Sequence, residues 1–378
     1  MPRCVLMMFV LIAFAGQSWA AVAGDCVNCH TMHNSQDGAP MRFNVAAGDD
    51  PAEPLPTLLK SDCVGCHTNS KNSDTIVTLG DTRVPIVYNT GGGLEYPPKG
   101  GNNAVLAGGN FYWVAQNDGD AYGHNVYGIS GMDVAHSDTG APGGSNSFNN
   151  PGGMGGCYDC HFTLSTPANG CRGCHLPAHH ASGSATAGIA DGEDGWYRFL
   201  GNVMHGSTAP GVQGVEDPDW EQNPTASRHN VYKGTADRYE SGATVTTGSI
   251  GQFCSGCHDK FHQGDDPDGM TSTSGAWIRH PSDVVLPGDT NKEYYLYQTY
   301  NPLAPVAKQT LDGTVSSAVV AGEDVVTCIS CHRPHGSPYP DMLRWDYLND
   351  CNAGTDYVAP GDPGECGCFV CHTTKDAM

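Results

Sequence analysis

The stretch CVNCHTMHNS at residues 26–35 places a histidine directly after two cysteines that are two residues apart, and a second histidine three positions later. The Cys-x-x-Cys-His pattern recurs six more times and takes up fourteen of the seventeen cysteines. The seven copies are CVNCH at 26–30, CVGCH at 63–67, CYDCH at 157–161, CRGCH at 171–175, CSGCH at 254–258, CISCH at 328–332 and CFVCH at 368–372.

Two thiols at this spacing, followed at once by a histidine, are the attachment pattern of c-type haem. The thiols bond covalently to one porphyrin, and the imidazole binds its iron from one side. Zinc knuckles and redox-active cysteine pairs also use Cys-x-x-Cys, but neither needs a histidine after every pair. The pattern therefore predicts seven covalent haems. The attachment cysteines are Cys26, Cys29, Cys63, Cys66, Cys157, Cys160, Cys171, Cys174, Cys254, Cys257, Cys328, Cys331, Cys368 and Cys371, and the proximal iron ligands are His30, His67, His161, His175, His258, His332 and His372.

The composition is poor in the residues that ordinarily build a protein core. Glycine (50) and proline (25) together make 75 of the 378 residues, and hydrophobic residues are only 39%. Because haem is large, rigid and apolar, seven haems can supply the interior that side chains do not. We expect a mostly irregular chain with short helices and few short strands, built as one continuous domain over residues 24–378 around a stack of seven haems.

A few segments have the character of regular structure. DMLRWDYL at 341–348 is a candidate helix. The β-branched and aromatic residues of TRVPIVY at 82–88, FYWVA at 111–115 and YYLYQTY at 294–300 are typical of short strands.

Ten of the seventeen histidines are not proximal ligands, so histidine is in surplus for a second axial ligand at every haem. Four of the ten lie three or four residues after a proximal histidine and cannot reach the far face of their own haem. We expect these four to bind the iron of a neighbouring haem. They are His33, His179, His262 and His335.

Four more candidates come from local sequence. His124 and His229 each begin a repeated HNVY, which indicates a shared geometry, and His280 precedes a proline that favours an extended backbone. His205 is the fourth. His136 and His180 are left as spares, and the histidine surplus disfavours methionine as a ligand.

The N-terminus predicts export. One arginine, an apolar run from Cys4 to Phe14 and small residues up to Ala23 are typical of a signal peptide over residues 1–23, cleaved after Ala20 or Ala23. A membrane anchor is disfavoured, since about eleven apolar residues cannot cross a bilayer core of roughly 30 Å. No later stretch is apolar enough to span a membrane. We therefore expect a secreted protein, extracellular or at the cell surface, that passes through the periplasm.

The net charge of −22 excludes nucleic acid as a natural partner, because phosphate binding needs clustered lysine and arginine. Four acidic stretches could instead hold Ca²⁺, although solvated loops are favoured because none has EF-hand spacing. They are NDGD at 117–120, DGED at 191–194, EDPDWE at 216–221 and GDDPDG at 264–269.

Two cysteines of the mature chain lie outside the haem motifs. Cys351 and Cys366 would close a loop of about 15 residues in an oxidising compartment, so a disulfide is favoured over two free thiols.

Several of these segments, taken in order, resemble the extracellular multihaem c-type cytochrome nanowires of metal-reducing bacteria, the OmcS and OmcE type. The resemblance implies a polymer in which stacked bis-histidine haems carry electrons along the fibre. It also implies that His33 binds an iron in the adjacent subunit, for instance that of the Cys328–Cys331 haem. The segments are residues 26–35, 123–128, 252–262, 279–281 and 328–347.

The chain departs from this family in one place. The motifs at 157 and 171 are only fourteen residues apart, where we expect a single motif in such relatives. The second axial ligands of the haems in the middle third of the chain therefore stay open.

Three functions compete. The resemblance favours a filament of copies of this chain that delivers electrons to partner cytochromes or mineral oxides. The alternative is a monomeric periplasmic or cell-surface carrier. A multihaem reductase is disfavoured, because it needs an open axial site, and the Cys-x-x-Cys-Lys variant that marks some such sites is absent.

We expect the mature protein to carry seven haems that survive denaturation, because all seven motifs supply two thiols and a proximal histidine. Intact mass and pyridine haemochrome absorbance per mole of protein measure the number. As a control, replacing Cys63 and Cys66 by serine should remove one haem. A protein without a Soret band, or with a mass that lacks the cofactors, would contradict the prediction.

Overall fold

The structure is a computed structural model that describes residues 22, 24–36, 39–40, 52–55, 57–91, 96, 105–116, 119–130, 164, 170–177, 179–180, 189–190, 196–201, 211–236, 247–258, 280–351 and 365–373. Nearly all of the predicted signal peptide lies outside these residues, as do the motif at 157–161 and the acidic stretches at 191–194 and 264–269. Three candidate or spare ligands, His136, His205 and His262, also lie outside them.

Regular structure is sparse in the described part, which confirms the expected irregular chain with short helices and few short strands. Four short α-helices are present: α1 (Cys63–Cys66), α2 (Ile250–Cys254), α3 (Tyr347–Asp350) and α4 (Cys368–Cys371). Turns of 3-10 helix occupy Cys26–Asn28, Gly119–Tyr122, Gly170–Gly173, Tyr197–Phe199, Glu293–Leu296, Cys328–Ser330 and Pro340–Met342.

The strands are equally short, and each pairs with one or two others. They are β1 (Ser35–Gln36), β2 (Ala39–Pro40), β3 (Thr68–Asn69), β4 (Ile76–Leu79), β5 (Thr82–Pro85), β6 (Tyr88–Asn89), β7 (Ile189–Ala190), β8 (Gly214–Val215), β9 (Val231–Tyr232), β10 (Val284–Val285) and β11 (Val325–Val326). Antiparallel pairs join β1 to β2, β4 to β5 and β10 to β11, while β3 and β6 are parallel. The order β7-β8-β9 makes the one three-stranded sheet among the described residues.

The strand predictions were right in one of three places. TRVPIVY forms β5 and enters β6. FYWVA is a turn, and YYLYQTY begins as 3-10 helix. The aromatic side chains of this last segment pack inward instead of lining a strand: Tyr297 and Tyr300 are buried, and the Tyr297 hydroxyl donates to the Ala304 carbonyl at 2.8 Å.

DMLRWDYL is helical only at its two ends. Asp341 and Met342 have positive φ of 59° and 58°, so the 3-10 turn stops there, and Leu343 is extended. The chain becomes helical again at α3, where the Asp346 side chain caps the helix by accepting from the Asn349 N–H.

The apolar side chains of the described part gather in three small clusters instead of one large core. The first contains Trp345, Tyr297 and Phe369, the second Tyr232, Ile250 and Val325, and the third Phe111, Val114 and Val126. The buried apolar side chains of the described part are therefore divided among three separate clusters, as the low hydrophobic content of the sequence predicts.

The acidic stretch at 216–221 is internal, and its expected description as a solvated loop was wrong. Glu216, Asp217 and Glu221 are buried. Glu216 pairs with Arg198 at 3.3 Å and Asp217 with Arg228 at 3.2 Å. Buried carboxylates need such partners, because leaving water is costly for an isolated charge. These acids hold the chain together, and none of the described acidic residues clusters in a way that would bind a cation.

Cys351 and Cys366 form a disulfide, with their Cα atoms 5.1 Å apart. Both cysteines belong to the cluster around Trp345. The bond ties the end of α3 to the residues just before the last haem motif.

Replacing both Cys351 and Cys366 by serine should lower the free energy of unfolding by about 3 kcal/mol. Without the disulfide the unfolded chain is no longer closed into a loop of 15 residues, so its conformational entropy is higher. Denaturant unfolding followed by near-UV circular dichroism measures the loss. Wild-type protein treated with reductant should fall to the same stability, whereas equal stability of the oxidised wild type and the double variant would contradict the prediction.

Candidate haem centres

Six of the seven motifs lie in the described part, and all six fold alike. In each one the backbone N–H of the histidine donates to the carbonyl of the first cysteine, which closes a single helical turn. Residues three apart in such a turn lie on one side, so both thiols face the same way. The N···O distances are 2.8 Å at His30, 2.9 Å at His67, His175 and His372, 3.0 Å at His258 and 3.1 Å at His332.

Capping side chains start several of these turns. Asp62 accepts a bond from the Gly65 N–H at 2.7 Å and Ser249 accepts one from Gln252 at 3.2 Å. The Thr327 N–H donates to the Ser330 hydroxyl at 3.0 Å, as part of a capping box. Asp, Ser and Thr are the favoured residues for this position. The polar residues ahead of the motifs thus fix where each turn begins.

The proximal imidazoles are oriented through their Nδ1 atoms. A carbonyl oxygen can only accept, so each Nδ1 beside one carries the proton and leaves Nε2 free for a metal. Such hydrogen bonds commonly orient metal-ligating histidines. The partners are the carbonyls of Leu58 for His30 (3.2 Å), Pro85 for His67 (2.7 Å), Arg198 for His175 (2.8 Å) and Asp341 for His332 (2.7 Å).

Several candidate second ligands have the same arrangement. In these residues too, Nδ1 donates to a backbone carbonyl and Nε2 points elsewhere. The partners are the carbonyls of Leu55 for His33 (3.2 Å), Pro334 for His124 (2.9 Å), Thr225 for His229 (3.1 Å) and Pro281 for His280 (3.0 Å).

Five proximal imidazoles are each faced by a second histidine ring at nearly constant distance. The ring centroids are 5.8 Å apart for His30 and His180, 6.4 Å for His67 and His179, 6.0 Å for His175 and His335, 6.1 Å for His258 and His124, and 6.3 Å for His372 and His280. An imidazole nitrogen binds a transition metal at about 2.0–2.1 Å, and with the ring radius two imidazoles on opposite sides of one ion have centroids about 6.3 Å apart. The five pairs are therefore spaced to hold an iron between them.

These pairs show which histidines the extra histidines face. His335 follows the motif at 328 yet faces His175, and His179 follows the motif at 171 yet faces His67. Each lies opposite a histidine of another motif. The geometry is the one expected of a histidine too close to its own haem to reach its far face.

His180, set aside as a spare, faces His30. The sequence predicted that, of these two adjacent histidines, His179 is a second iron ligand and His180 is a spare. In an irregular chain, however, neighbouring side chains can diverge, and here His179 and His180 point to two different motifs. The doubled histidine in CHLPAHH was the signal that could have revealed this.

Burial favours the neutral form, which is the form that binds iron, in several of these imidazoles. Burial, followed by the charge of His258, lowers the pKa of His124 to about 4. Burial, followed by the charge of His175, lowers the pKa of His335 to about 3. Burial also lowers the pKa of His67.

Contacts between thiols join the first three described motifs. The Cys63 and Cys171 thiols are hydrogen-bonded to each other, which lowers the pKa of Cys63 to about 7. Burial, followed by the charge of Cys29, raises the pKa of Cys66 to about 11. Because such effects act over short distances, the motif at 63 lies near those at 26 and 171.

The remaining motifs continue the same series. The Cys254 thiol is hydrogen-bonded to Cys328, which together with burial raises its pKa, and Cys174 adds a smaller charge effect. Burial, followed by the charges of Cys368 and Cys371, raises the pKa of Cys331 to about 12. Each of the motifs at 26, 63, 171, 254, 328 and 368 therefore lies near the next one in this series.

Three of the histidines have no second histidine at this spacing within the described residues. His332 is a proximal histidine that lacks one. His229 is buried and stacks on the Tyr300 ring, with centroids 3.4 Å apart. His33 is exposed. The two HNVY segments share the Nδ1 contact, but only the second continues into a strand, β9.

Comparison with known proteins agrees with this geometry. A family described as "Doubled CXXCH motif" matches residues 318–377, which contain the last two motifs. The C-type cytochrome OmcS of Geobacter sulfurreducens is 25% identical over 371 residues, which cover 90% of this chain and 82% of OmcS. The expected resemblance to the OmcS type is confirmed.

The fold of this OmcS-like chain agrees as well. The Outer Membrane Cytochrome S Filament from Geobacter sulfurreducens superposes with a TM-score of 0.52 at 18% identity, covering 94% of this chain and 99% of the other. A second structure, of the OmcS nanowires from Geobacter sulfurreducens, gives a TM-score of 0.45 at 17% identity over the same shares of both chains.

Across the residues that the structure describes, every helix is too short or too polar to traverse a bilayer.

Substituting His180 by alanine should leave one haem in seven without its second ligand, because His180 alone faces His30 among the described histidines. We expect a new high-spin ferric EPR signal of about that share, which added imidazole should convert to low spin. A variant that remains fully low-spin without imidazole would contradict the pairing.

Proposed function

We propose that this chain is an electron-transfer protein that carries electrons along seven bis-histidine haems and polymerises into an extracellular filament. The observation that supports it best is the set of five histidine pairs with centroids 5.8–6.4 Å apart. The pairs belong to motifs that lie near one another. Haem iron supplies reversible one-electron chemistry. The chain's own residues set the ligands, the spacing and the solvent exposure.

The paired histidines give the proposed ligand sets. In each set the proximal histidine comes from the motif and the distal one from elsewhere in the chain. The sets are His30 with His180, His67 with His179, His175 with His335, His258 with His124, and His372 with His280. His205, His229 and His262 remain the proposed candidates for the second ligand of the His161 centre, and calcium has no assigned role.

Two histidines on one iron leave no coordination position for a substrate. The proposed activity is therefore electron transfer without catalysis, in which the protein keeps successive haems in contact. Because the Cys63 and Cys171 thiols touch, as do those of Cys254 and Cys328, the porphyrins bonded to them would have adjacent edges.

His33 is the proposed link between subunits. It is exposed, its Nδ1 is held by the Leu55 carbonyl, and its backbone has a positive φ of 51°. Asn34 beside it also has positive φ, is buried, and donates to the Glu53 carbonyl at 2.9 Å. A non-glycine residue in this conformation persists only when its surroundings impose it, and such sites are often functional. These features make His33 an oriented imidazole at the surface, which supports its proposed role as a ligand between subunits.

The surface around His33 is suited to contact with another protein. Val27 is 53% exposed, Met32 69% and Leu58 50%. Exposed apolar groups beside a positioned ligand favour a partner that covers both. We propose that the partner is a second copy of the chain, and that its His332, which is oriented by the Asp341 carbonyl, shares an iron with His33.

The similar fold of the Outer Membrane Cytochrome S Filament from Geobacter sulfurreducens supports this assembly. A chain of this kind would be exported by its predicted signal peptide, through the periplasm, to the cell surface or beyond. Its electrons would pass to partner cytochromes or mineral oxides. The alternative, a monomeric carrier in the periplasm or at the cell surface, would use the same haem series without the contact at His33.

Replacing His33 by alanine should abolish filaments, because the boundary iron loses a ligand that only the neighbouring subunit supplies. Negative-stain electron microscopy and size-exclusion chromatography of secreted protein measure assembly, and EPR should show one high-spin haem in the dispersed variant. Gln36→Ala, an exposed change on the nearby strand β1, is the matched control and should form filaments normally.

Filaments of normal length from the His33→Ala protein would refute the link. If the wild type and both variants are monomers with only low-spin haem, a monomeric electron carrier becomes the better interpretation of the protein's function.

A further inference from the structure

His372 differs from the other proximal histidines whose Nδ1 partner is known. His30, His67, His175 and His332 donate to neutral backbone carbonyls. His372 instead donates to a carboxylate, with its Nδ1 2.9 Å from Oε1 of Glu293.

Two further contacts fix this arrangement. Glu293 opens the 3-10 turn Glu293–Leu296, which packs against α4, the helix of the last haem motif. The Thr373 hydroxyl donates to the Glu293 carbonyl at 2.6 Å, and the Tyr294 ring lies edge-on to His372 at 5.2 Å between centroids. The carboxylate is therefore held against the imidazole by residues on both segments.

The Glu293 side chain is only 9% exposed, so water screens its charge weakly. Among the described ion pairs, Glu293 has no lysine or arginine partner. The charge of Glu293 also acts on a haem attachment cysteine. The pKa of the Cys371 thiol is raised to about 12 by burial, then by Cys368 and then by Glu293.

We propose that Glu293 lowers the reduction potential of the haem attached through Cys368 and Cys371; this rests on the proposed ligation of that haem by His372. A carboxylate that accepts the Nδ1 proton makes the imidazole a stronger electron donor at Nε2. Its negative charge also favours the ferric iron, which carries one more positive charge than the ferrous. Both effects have the same sign.

Reduction of this centre takes one electron from a neighbouring haem, and no bond or proton has to move. Glu293 makes that electron less stable here than beside a neutral carbonyl. The last described motif would thus be an energetically unfavourable step that recurs once in every subunit of a filament.

The test is a potentiometric titration of the holoprotein, followed by visible and EPR spectroscopy, with Glu293→Gln as the principal variant. Glutamine can still accept the Nδ1 hydrogen bond but carries no charge. One midpoint potential should become more positive and the others should stay, with haem content and the low-spin spectrum unchanged. Glu293→Asp keeps the charge but withdraws it from Nδ1, and should shift the same potential in the same direction by less.

Two controls separate charge from structure. Thr373→Val removes the hydroxyl bond between the same two segments without changing charge, and should shift the same potential by less than Glu293→Gln does. Glu53→Gln removes one charge beside the first motif and should not move the potential that Glu293→Gln moves. Unchanged potentials in both Glu293 variants would overturn the inference, and the aspartate variant decides it if the glutamine variant does not assemble. A wild type that has a high-spin haem at the last motif would instead count against the proposed function.

Discussion

The described fold brings imidazoles together in pairs that are spaced to hold an iron, and the proposed series of haems depends on these pairs. The paired residues are far apart in sequence: His335 faces His175, and His280 faces His372. In most proteins a hydrophobic core provides such long-range connections, and its burial offsets the entropy lost on ordering the chain. Here the apolar clusters are small, and histidine pairs with the porphyrins between them would connect segments that share little side-chain packing. This explains how a chain so rich in glycine and proline can be ordered with so little helix or sheet.

The same constraint shapes the proposed function. A histidine placed shortly after one motif faces the histidine of another, so each such residue ties two centres together and keeps them close. Electrostatic effects between their thiols then indicate that each described motif lies near the next one in the sequence. Electron transfer needs only this proximity, while two histidines on each iron leave no position for a substrate. His33 extends the principle beyond the chain, as an oriented imidazole on the surface. Glu293 adds a means of giving one centre a different potential from its neighbours.

The motifs were predictable because their chemistry fixes their local spacing. The placement of His335 and His179 opposite other motifs followed from reach alone. His180 was missed because its direction depends on how an irregular chain turns, which no periodic pattern records. FYWVA and YYLYQTY did not form strands because their aromatic rings pack against local clusters. The contacts of Glu293 with His372 and of Asp217 with Arg228 join distant segments, and nothing in either sequence neighbourhood announces them.

Cryo-electron microscopy of the secreted holoprotein tests the central claim most directly, since a map shows every porphyrin and both of its axial ligands. We expect the haems of the motifs at 26, 63, 171, 254, 328 and 368 to follow one another in that order, five of them held by the histidine pairs described above. Haems in a different order, or irons held by residues other than these histidines, would contradict the account.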